Sequence, residues 1–340
     1  MILIDLWIIV QALTLILILF GGLELILRNE GVKPSNEKKT KSEIIPKDKF
    51  YGEHSLLGFV NQEGEFLLNI NDSDFTFSAS HDKQGHRITS NIRINQDRLD
   101  EGSELWIFGC SFIYGWLVED DQTFPWLLQS RLDDWKVTNF AVSGYSTLQS
   151  YLQCKEAFAS GGTPEIVMVF YGSKLHDQRN VLSRNRKKAF TRLDRISPFK
   201  VPCGMLDNQG KLSIKYERIK YSGLPLFSNS ALMNYMDDKL NRYLDSQLNE
   251  FEVSKKILTE FHQLCNENNS TFVVGGIVKD KKTKAMLEYC KQQGMETIDI
   301  ALDRRPEHVH DYDFHPSPLA HQKYADQLTE YLSEKGFVAT

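Results

Sequence analysis

Two short segments far apart in the chain carry the residue types that acyl transfer needs. They are Gly109-Cys110-Ser111-Phe112, directly after an apolar run, and Asp313-Phe314-His315-Pro316, close to the C-terminus. A serine hydroxyl is a weak nucleophile at neutral pH; it needs an imidazole to take its proton and a carboxylate to orient that imidazole. Ser111, His315 and Asp313 offer these groups in the chain order Ser, Asp, His, with Asp311 as a second candidate for the carboxylate. Gly-x-Ser alone is a common turn. Cys110 reads as a small apolar filler of that turn or, as the rival, a thiol nucleophile, although its side chain should point away from Ser111. The other histidines, among them the close pair His308 and His310, which reads as a solvated loop, have no metal-ligand spacing with Cys or Asp. No glycine-rich phosphate loop occurs either, so no metal and no cofactor is expected.

Such groups have to be held by rigid elements. The continuous apolar run 105–108 reads as a buried strand, with a helix over 123–132 after it. Strands at 137–142, 165–171, 271–277 and 297–300 alternate with helices at 147–160, 253–268, 281–293 and 318–335. This is the pattern of βα units stacked into a parallel sheet. Ser111 then falls at the C-terminal edge of the sheet, where open α/β folds bind their ligands. Residues 181–248 interrupt the alternation with a basic run (Arg184, Arg186, Lys187, Lys188, Arg192, Arg195), a hairpin turn at 204–211 and a helix over 230–248. A basic run of this kind is most often a solvated face; the sharper reading is contact with an anionic substrate or a lipid headgroup.

The 340-residue chain is 41% hydrophobic and 25% charged, which excludes a disordered polymer and allows one large domain. Its net charge of −5 comes without a basic stripe, so nucleic acid is not an expected partner. Residues 6–23 carry no charge, and at ~1.5 Å per residue they nearly span a ~30 Å hydrocarbon core. Residues 1–28 therefore read as a single transmembrane anchor. No Lys or Arg precedes the run and Gly21-Gly22 is a poor cleavage site, which argues against a signal peptide. Arg28, Lys33, Lys38, Lys39 and Lys41 follow it and, by the positive-inside rule, would keep the remainder cytoplasmic. The five cysteines show no disulfide spacing, which leans the same way. Residues 29–50 read as a solvated tether, 51–99 as a small β-rich lead-in, and 100–340 as the main domain.

Three blocks, each at a strand end, resemble the SGNH (GDSL-type) hydrolase family. Gly109-Cys110-Ser111-Phe112-Ile113-Tyr114-Gly115-Trp116, with Thr123-Phe124-Pro125 downstream, is similar to the first signature, G-D-S-F-T-x-G. Asn139-Phe140-Ala141-Val142-Ser143-Gly144-Tyr145-Ser146 resembles the second block, and Asp313-Phe314-His315-Pro316-Ser317-Pro318 the last. The resemblance spans residues 100 to 335 or so. It implies a flavodoxin-like three-layer α/β sandwich with a parallel sheet, Ser111 as nucleophile, His315 as base and Asp313 as the orienting carboxylate. It also implies an oxyanion hole built from the backbone N–H groups of Ser111 and Gly144 and an Asn side chain. A glycine at 144 lets the backbone approach without a Cβ in the way.

The chain departs from the family pattern at three points. Cys110 stands where the family has Asp, and the carboxylate precedes His315 by two residues where three is usual, at Tyr312. The segment from Gly172 to Asn180 lacks the family's Asn-Asp pair, leaving Asn180, His176 or Lys174 to supply the third oxyanion donor. The resulting expectation is a serine esterase acting on O-acetyl or other acyl esters of a carbohydrate or lipid. Membrane-anchored relatives with a helix ending like Leu23-Glu24-Leu25-Ile26-Leu27-Arg28 and a lead-in like Ser55-Leu56-Leu57-Gly58-Phe59 are associated with the bacterial cell envelope. The resemblance thus implies a single-pass protein with an extracytoplasmic domain, against the charge rule. An acyltransferase on a cell-surface polysaccharide would use the same Ser and His. A catalytically silent carbohydrate-binding or assembly protein is the reading that the irregular third block favours.

Overall fold

A computed structural model of the chain describes residues 2–35, 42–47, 49–70, 74–90, 103–191, 193, 196 and 199–338. Arg192 and Arg195 of the basic run, Lys38, Lys39 and Lys41 after the anchor, and the expected boundary near residue 100 lie outside the described residues. Helix α1 (Ile2–Asn29) comes first, followed by strands β1 (Ser42–Ile45), β2 (Tyr51–His54), β3 (Gly58–Asn61), β4 (Gly64–Ile70) and β5 (Thr76–His81). The next elements are β6 (Ser103–Phe108), α2 (Ser111–Tyr114), α3 (Phe124–Gln129), β7 (Trp135–Asn139), α4 (Thr147–Ala159), β8 (Ile166–Tyr171) and α5 (Ser173–Asn180). The insertion supplies α6 (Arg184–Phe190), the hairpin β9 (Lys200–Leu206) and β10 (Leu212–Arg218), and α7 (Ala231–Asp245). Finally come α8 (Glu250–Glu267), β11 (Thr271–Gly276), α9 (Lys281–Gln292), β12 (Glu296–Asp299) and α10 (Pro318–Glu334).

The main sheet has five parallel strands in the order β12-β11-β8-β6-β7. Counted among themselves these strands run 5-4-3-1-2, the flavodoxin arrangement, whose topological switch lies between β6 and β8. Continuous apolar runs form these strands because both faces are covered. In β8, Ile166, Met168 and Phe170 face a core shared with α3 and α10, whereas Val167, Val169 and Tyr171 face one shared with α8 and α9. The helix expected over 123–132 is shorter, and α5 forms where no helix was expected, so the 172–180 segment is helical rather than an open loop.

The lead-in is fused to this sheet. Its β1-β4-β5 sheet reaches β7 through Arg87, which bridges His81 on one side and Asn139 on the other. Arg87 is 1% exposed and spends all five of its donors. Nε donates to the Asp120 carboxylate at 2.8 Å, Nη1 to the Tyr114 carbonyl at 3.0 Å and to that of Gly115, and Nη2 to the carbonyls of Val118 at 2.7 Å and Ser78 at 3.0 Å. His81 adds a second clasp, its Nδ1 to the Gln62 carbonyl and its Nε2 to the Tyr114 hydroxyl, each at 2.8 Å.

Two readings of the chain are corrected here. The supposed tether is not wholly solvated: residues 42–45 are strand β1, paired with β4. Likewise the basic run is not a solvated face. Lys188 binds Asp237 and Asp238 at 2.7 and 2.8 Å, Lys187 binds Glu217 at 2.5 Å, and Arg184 donates to Asn241 at 2.8 Å. The Lys188 and Arg184 contacts pin α6 to α7 and that of Lys187 ties it to β10, and α7 in turn receives α1. The Glu24 carboxylate accepts from Ser230 Oγ (2.7 Å) and from the N–H groups of Ala231 and Leu232 (2.9 and 2.8 Å), satisfying orphan donors at the start of α7. The segment Trp7–Asn29 is long and apolar enough to cross a membrane, and none of its most apolar window is buried in the fold.

Arg87→Ala should cost about 3–5 kcal/mol of stability, because it strands a mostly buried carboxylate and four carbonyls; Arg87→Lys should be nearly as harmful, since an ammonium cannot fill the fork. A denaturation midpoint within about 1 kcal/mol of wild type would refute this role. A second expectation concerns pH. Burial pulls the His81 imidazole down from 6.5 to about 4, aided by the Arg87 charge and opposed by the Gln62 hydrogen bond. The unfolded chain takes up this proton near pH ~6.5 and the folded protein does not. The stabilisation is complete above ~6.5 and is lost as pH falls toward about 4, on the order of 3 kcal/mol in all. A melting temperature that stays flat between pH ~7 and ~4.5 would contradict it.

Candidate active site

The turn that carries Ser111 is set by close packing. Gly109 ends β6, and a Cβ there would lie 2.5 Å from Ile113 Cγ1. Cys110 is extended (φ −103°, ψ −159°) and caps α2, so Ser111 opens that short helix at the C-terminal edge of the sheet. Gly115 closes it at φ +86°, donating to the Ser111 carbonyl. The second block leans against this turn: Val142 N–H donates to the Gly109 carbonyl at 3.3 Å.

Across from it, the loop before α10 brings in the imidazole. His315 Nε2 lies 2.8 Å from Ser111 Oγ, and His315 Nδ1 lies 2.7 Å from Asp313 Oδ1, which also accepts the His315 backbone N–H at 2.7 Å. The two-residue spacing lets one carboxylate oxygen hold both ring and backbone, and Asp311 is exposed and takes no part. Burial would raise the Asp313 carboxyl, but hydrogen bonds from His315 and its charge outweigh burial and hold it below the usual carboxylate range. An ionised Asp313 keeps the proton on Nδ1 and leaves Nε2 free to accept from Ser111. Phe112 and Phe314 flank the ring, the latter stacked at 5.2 Å. The loop is pinned by Ser317, which donates through N–H to the His308 carbonyl (3.1 Å) and through Oγ to that of Glu307 (2.5 Å). His308 is thus buried structure rather than a solvated loop, with Nδ1 on the Asp303 carbonyl and Nε2 on Lys323.

The oxyanion candidates divide. Neither the Ser111 nor the Gly144 N–H donates to a protein acceptor among the described residues. Gly144 sits at φ +96°, and a Cβ there would meet Ile196 and Phe59 only at 3.6 Å, so the glycine is required by conformation and not by crowding. Asn180 is corrected: its Oδ1 accepts from Leu148 N–H at 3.0 Å and its Nδ2 donates to Ser254 Oγ at 2.9 Å, which consumes the amide inside the fold. Lys174 is exposed at the start of α5. His176 is 1% exposed; its Nδ1 faces the Gly172 backbone, while Nε2 is sealed without a hydrogen-bond partner. The ring lies beside Cys110. Burial alone would raise that thiol, but the His176 imidazole and then the Arg179 guanidinium bring it down to about 6. Among the described residues no group of His, Cys, Asp and Glu has the makings of a metal site.

Gly144→Ala keeps the N–H but disfavours φ +96°, so it should lower turnover only as far as the loop shifts that N–H, up to the roughly 10²–10³-fold of a lost oxyanion donor. Forcing a left-handed alanine costs only about 1–2 kcal/mol, so the melting temperature should move modestly. Unchanged turnover would show that the site does not need a glycine at 144.

No protein-family model matches the chain, and no curated protein does. Solved structures do. A member of the lipolytic G-D-S-L family from Veillonella parvula aligns at 11% identity and a TM-score of 0.41, over 68% of this chain and 99% of its own. A Bacillus subtilis protein aligns at 9% and 0.44, over 90% and 77%, and a family two carbohydrate esterase from Clostridium thermocellum, solved with cellohexaose, at 10% and 0.38, over 69% and 65%.

Proposed function

We propose that the chain is a membrane-anchored serine esterase of SGNH (GDSL) type. The carrying observation is the relay from Ser111 Oγ to His315 Nε2 at 2.8 Å and from His315 Nδ1 to Asp313 at 2.7 Å, at the sheet edge that binds ligands in such folds. Ser111 Oγ attacks the ester carbonyl while its proton passes to Nε2, and the negative charge that develops falls to the N–H groups of Ser111 and Gly144. Collapse of this intermediate expels the alcohol, which takes the proton from Nε2. A water then attacks the acyl-enzyme, giving its proton to His315, and the carboxylic acid leaves with Ser111 restored. Asp313 keeps the imidazole in one tautomer and stabilises it when charged.

Short acyl esters of carbohydrates or lipids, O-acetyl groups above all, are the substrates we assign. The helix α1 would hold the domain at the bilayer, on the extracytoplasmic side. Ser111→Ala and His315→Ala should each lower hydrolysis of a chromogenic acetyl ester by roughly 10⁴–10⁶-fold, and Asp313→Asn by ~10⁴-fold, with the fold intact. A fluorophosphonate should label Ser111 in the wild type. Labelling at Cys110, or full activity in Ser111→Ala, would overturn the assignment; acetyl transfer to a glycan without release of acetate would move it to the acyltransferase class.

A further inference from the structure

Among the described residues of the basic run, Lys187 and Lys188 pair with carboxylates, whereas Arg186 does not, and neither does Arg179 beside it on α5. Arg179, on the last turn of α5, is 8% exposed; its Nη1 donates to the Tyr145 carbonyl at 3.0 Å, and its Nε is sealed without a partner. Arg186, on α6, is partly buried; its Nη2 reaches the Lys174 carbonyl at 3.5 Å, and its Nε too is sealed without a partner. Both guanidinium groups lie on the ring of Phe190, at 5.9 and 5.2 Å. Neither pairs with a carboxylate among the described residues, whereas Lys187 and Lys188 on the same helix do. Aromatic and carbonyl contacts orient a guanidinium but do not cancel its charge.

The cluster sits next to the reactive turn. Tyr145 follows Gly144, and Cys110, which precedes Ser111, feels both arginines. A Cys110 thiolate would balance at most one positive charge, and it also interacts with His176. Burial and then the Arg179 charge pull the Arg186 guanidinium down to about 9, a measure of how poorly the pair is compensated. Each guanidinium keeps an N–H donor without a protein partner, and a guanidinium fork matches a carboxylate or phosphate oxygen pair.

We infer that Arg179 and Arg186 form a subsite for an anionic group, a carboxylate or phosphate, carried by the ester substrate. The inference rests on the esterase reading and narrows it to acidic esters. It places the anion beside the Gly144–Tyr145 loop, whose Tyr145 carbonyl Arg179 holds.

The test uses the full chain in detergent micelles and matched ester pairs. Para-acetoxybenzoate against its methyl ester places the anion on the leaving group; monophenyl succinate against phenyl butyrate places it on the acyl group. One of the two anionic esters should be preferred by roughly 10–100-fold in kcat/KM. In Arg179→Gln and in Arg186→Gln that ratio should collapse toward one, and Arg179→Lys should recover only part of it. Inorganic phosphate should inhibit the wild type competitively and raise its melting temperature, and should do neither in Arg179→Gln. Ratios near one in the wild type, with neutral esters turned over and phosphate without effect, would overturn the subsite and leave the esterase standing. Phosphate binding that is lost in Arg179→Gln, with no ester hydrolysed, would uphold the anion site and sink the esterase instead.

Discussion

The fold around the site depends on one buried guanidinium. Arg87 comes from the lead-in, yet three of its five acceptors belong to the nucleophile turn and the stretch after it: the carbonyls of Tyr114, Gly115 and Val118. Those carbonyls face away from any regular ladder because the chain leaves α2 through Gly115 at φ +86° and passes Leu117 at φ +75°. A buried carbonyl without a donor is costly, so an irregular turn at this depth needs an external source of N–H groups. Arg87 supplies them from a side chain held by Asp120 and by the Ser78 carbonyl of β5. The lead-in is consequently part of the site's support, and the position of Ser111 depends on strands that precede it in the chain.

The departures from the family pattern are physically connected. A carboxylate is absent at position 110 and an Asn-Asp pair is absent after β8; in their places stand a buried thiol and a buried imidazole side by side. Asp177, one residue on, is occupied elsewhere: it accepts from the Tyr171 hydroxyl and from Ser254 Oγ at 2.7 Å, and burial raises its carboxyl to about 6. Ser254 also holds Asn180, so the polar residues of α5 are divided between a network facing α8 and a cationic side facing Cys110. The third oxyanion donor cannot come from Asn180 in this arrangement.

What was legible in the sequence follows from how local its causes are. The parallel sheet could be read because β8 and its neighbours are apolar on both faces, which leaves an unbroken run such as Ile166 to Tyr171. Ser111, His315 and Asp313 could be named because short turns with fixed residue types carry them. Arg87 could not, since four of its five acceptors are backbone carbonyls, which leave no trace in residue identity. Asn180 misled for the opposite reason: an amide near a strand end has the right chemistry, and only the packing of α5 against α4 and α8 shows that both its ends are taken. The basic run misled in part because its partners, Glu217, Asp237 and Asp238, lie thirty to fifty residues downstream.

The same ion pairs bear on how α1 joins the rest of the fold. Glu24 lies near the end of an apolar helix and is bound to Arg28 at 2.6 Å, while Arg28 also donates to the Asn229 carbonyl at 3.1 Å. A carboxylate near the end of an apolar helix needs partners for its oxygens, and the start of α7 offers three donors in the orientation that favours an anion. Further along, Lys33 and Ser35 continue the contact through Asn234 and Phe227. The anchor therefore does not end in a free linker: it is clamped to α7, α7 to α6 through Lys188, and α6 carries Arg186 to the edge of the reactive turn. Because each link is a charge-assisted contact of defined geometry, the placement of α1 relative to Ser111 is set through the insertion.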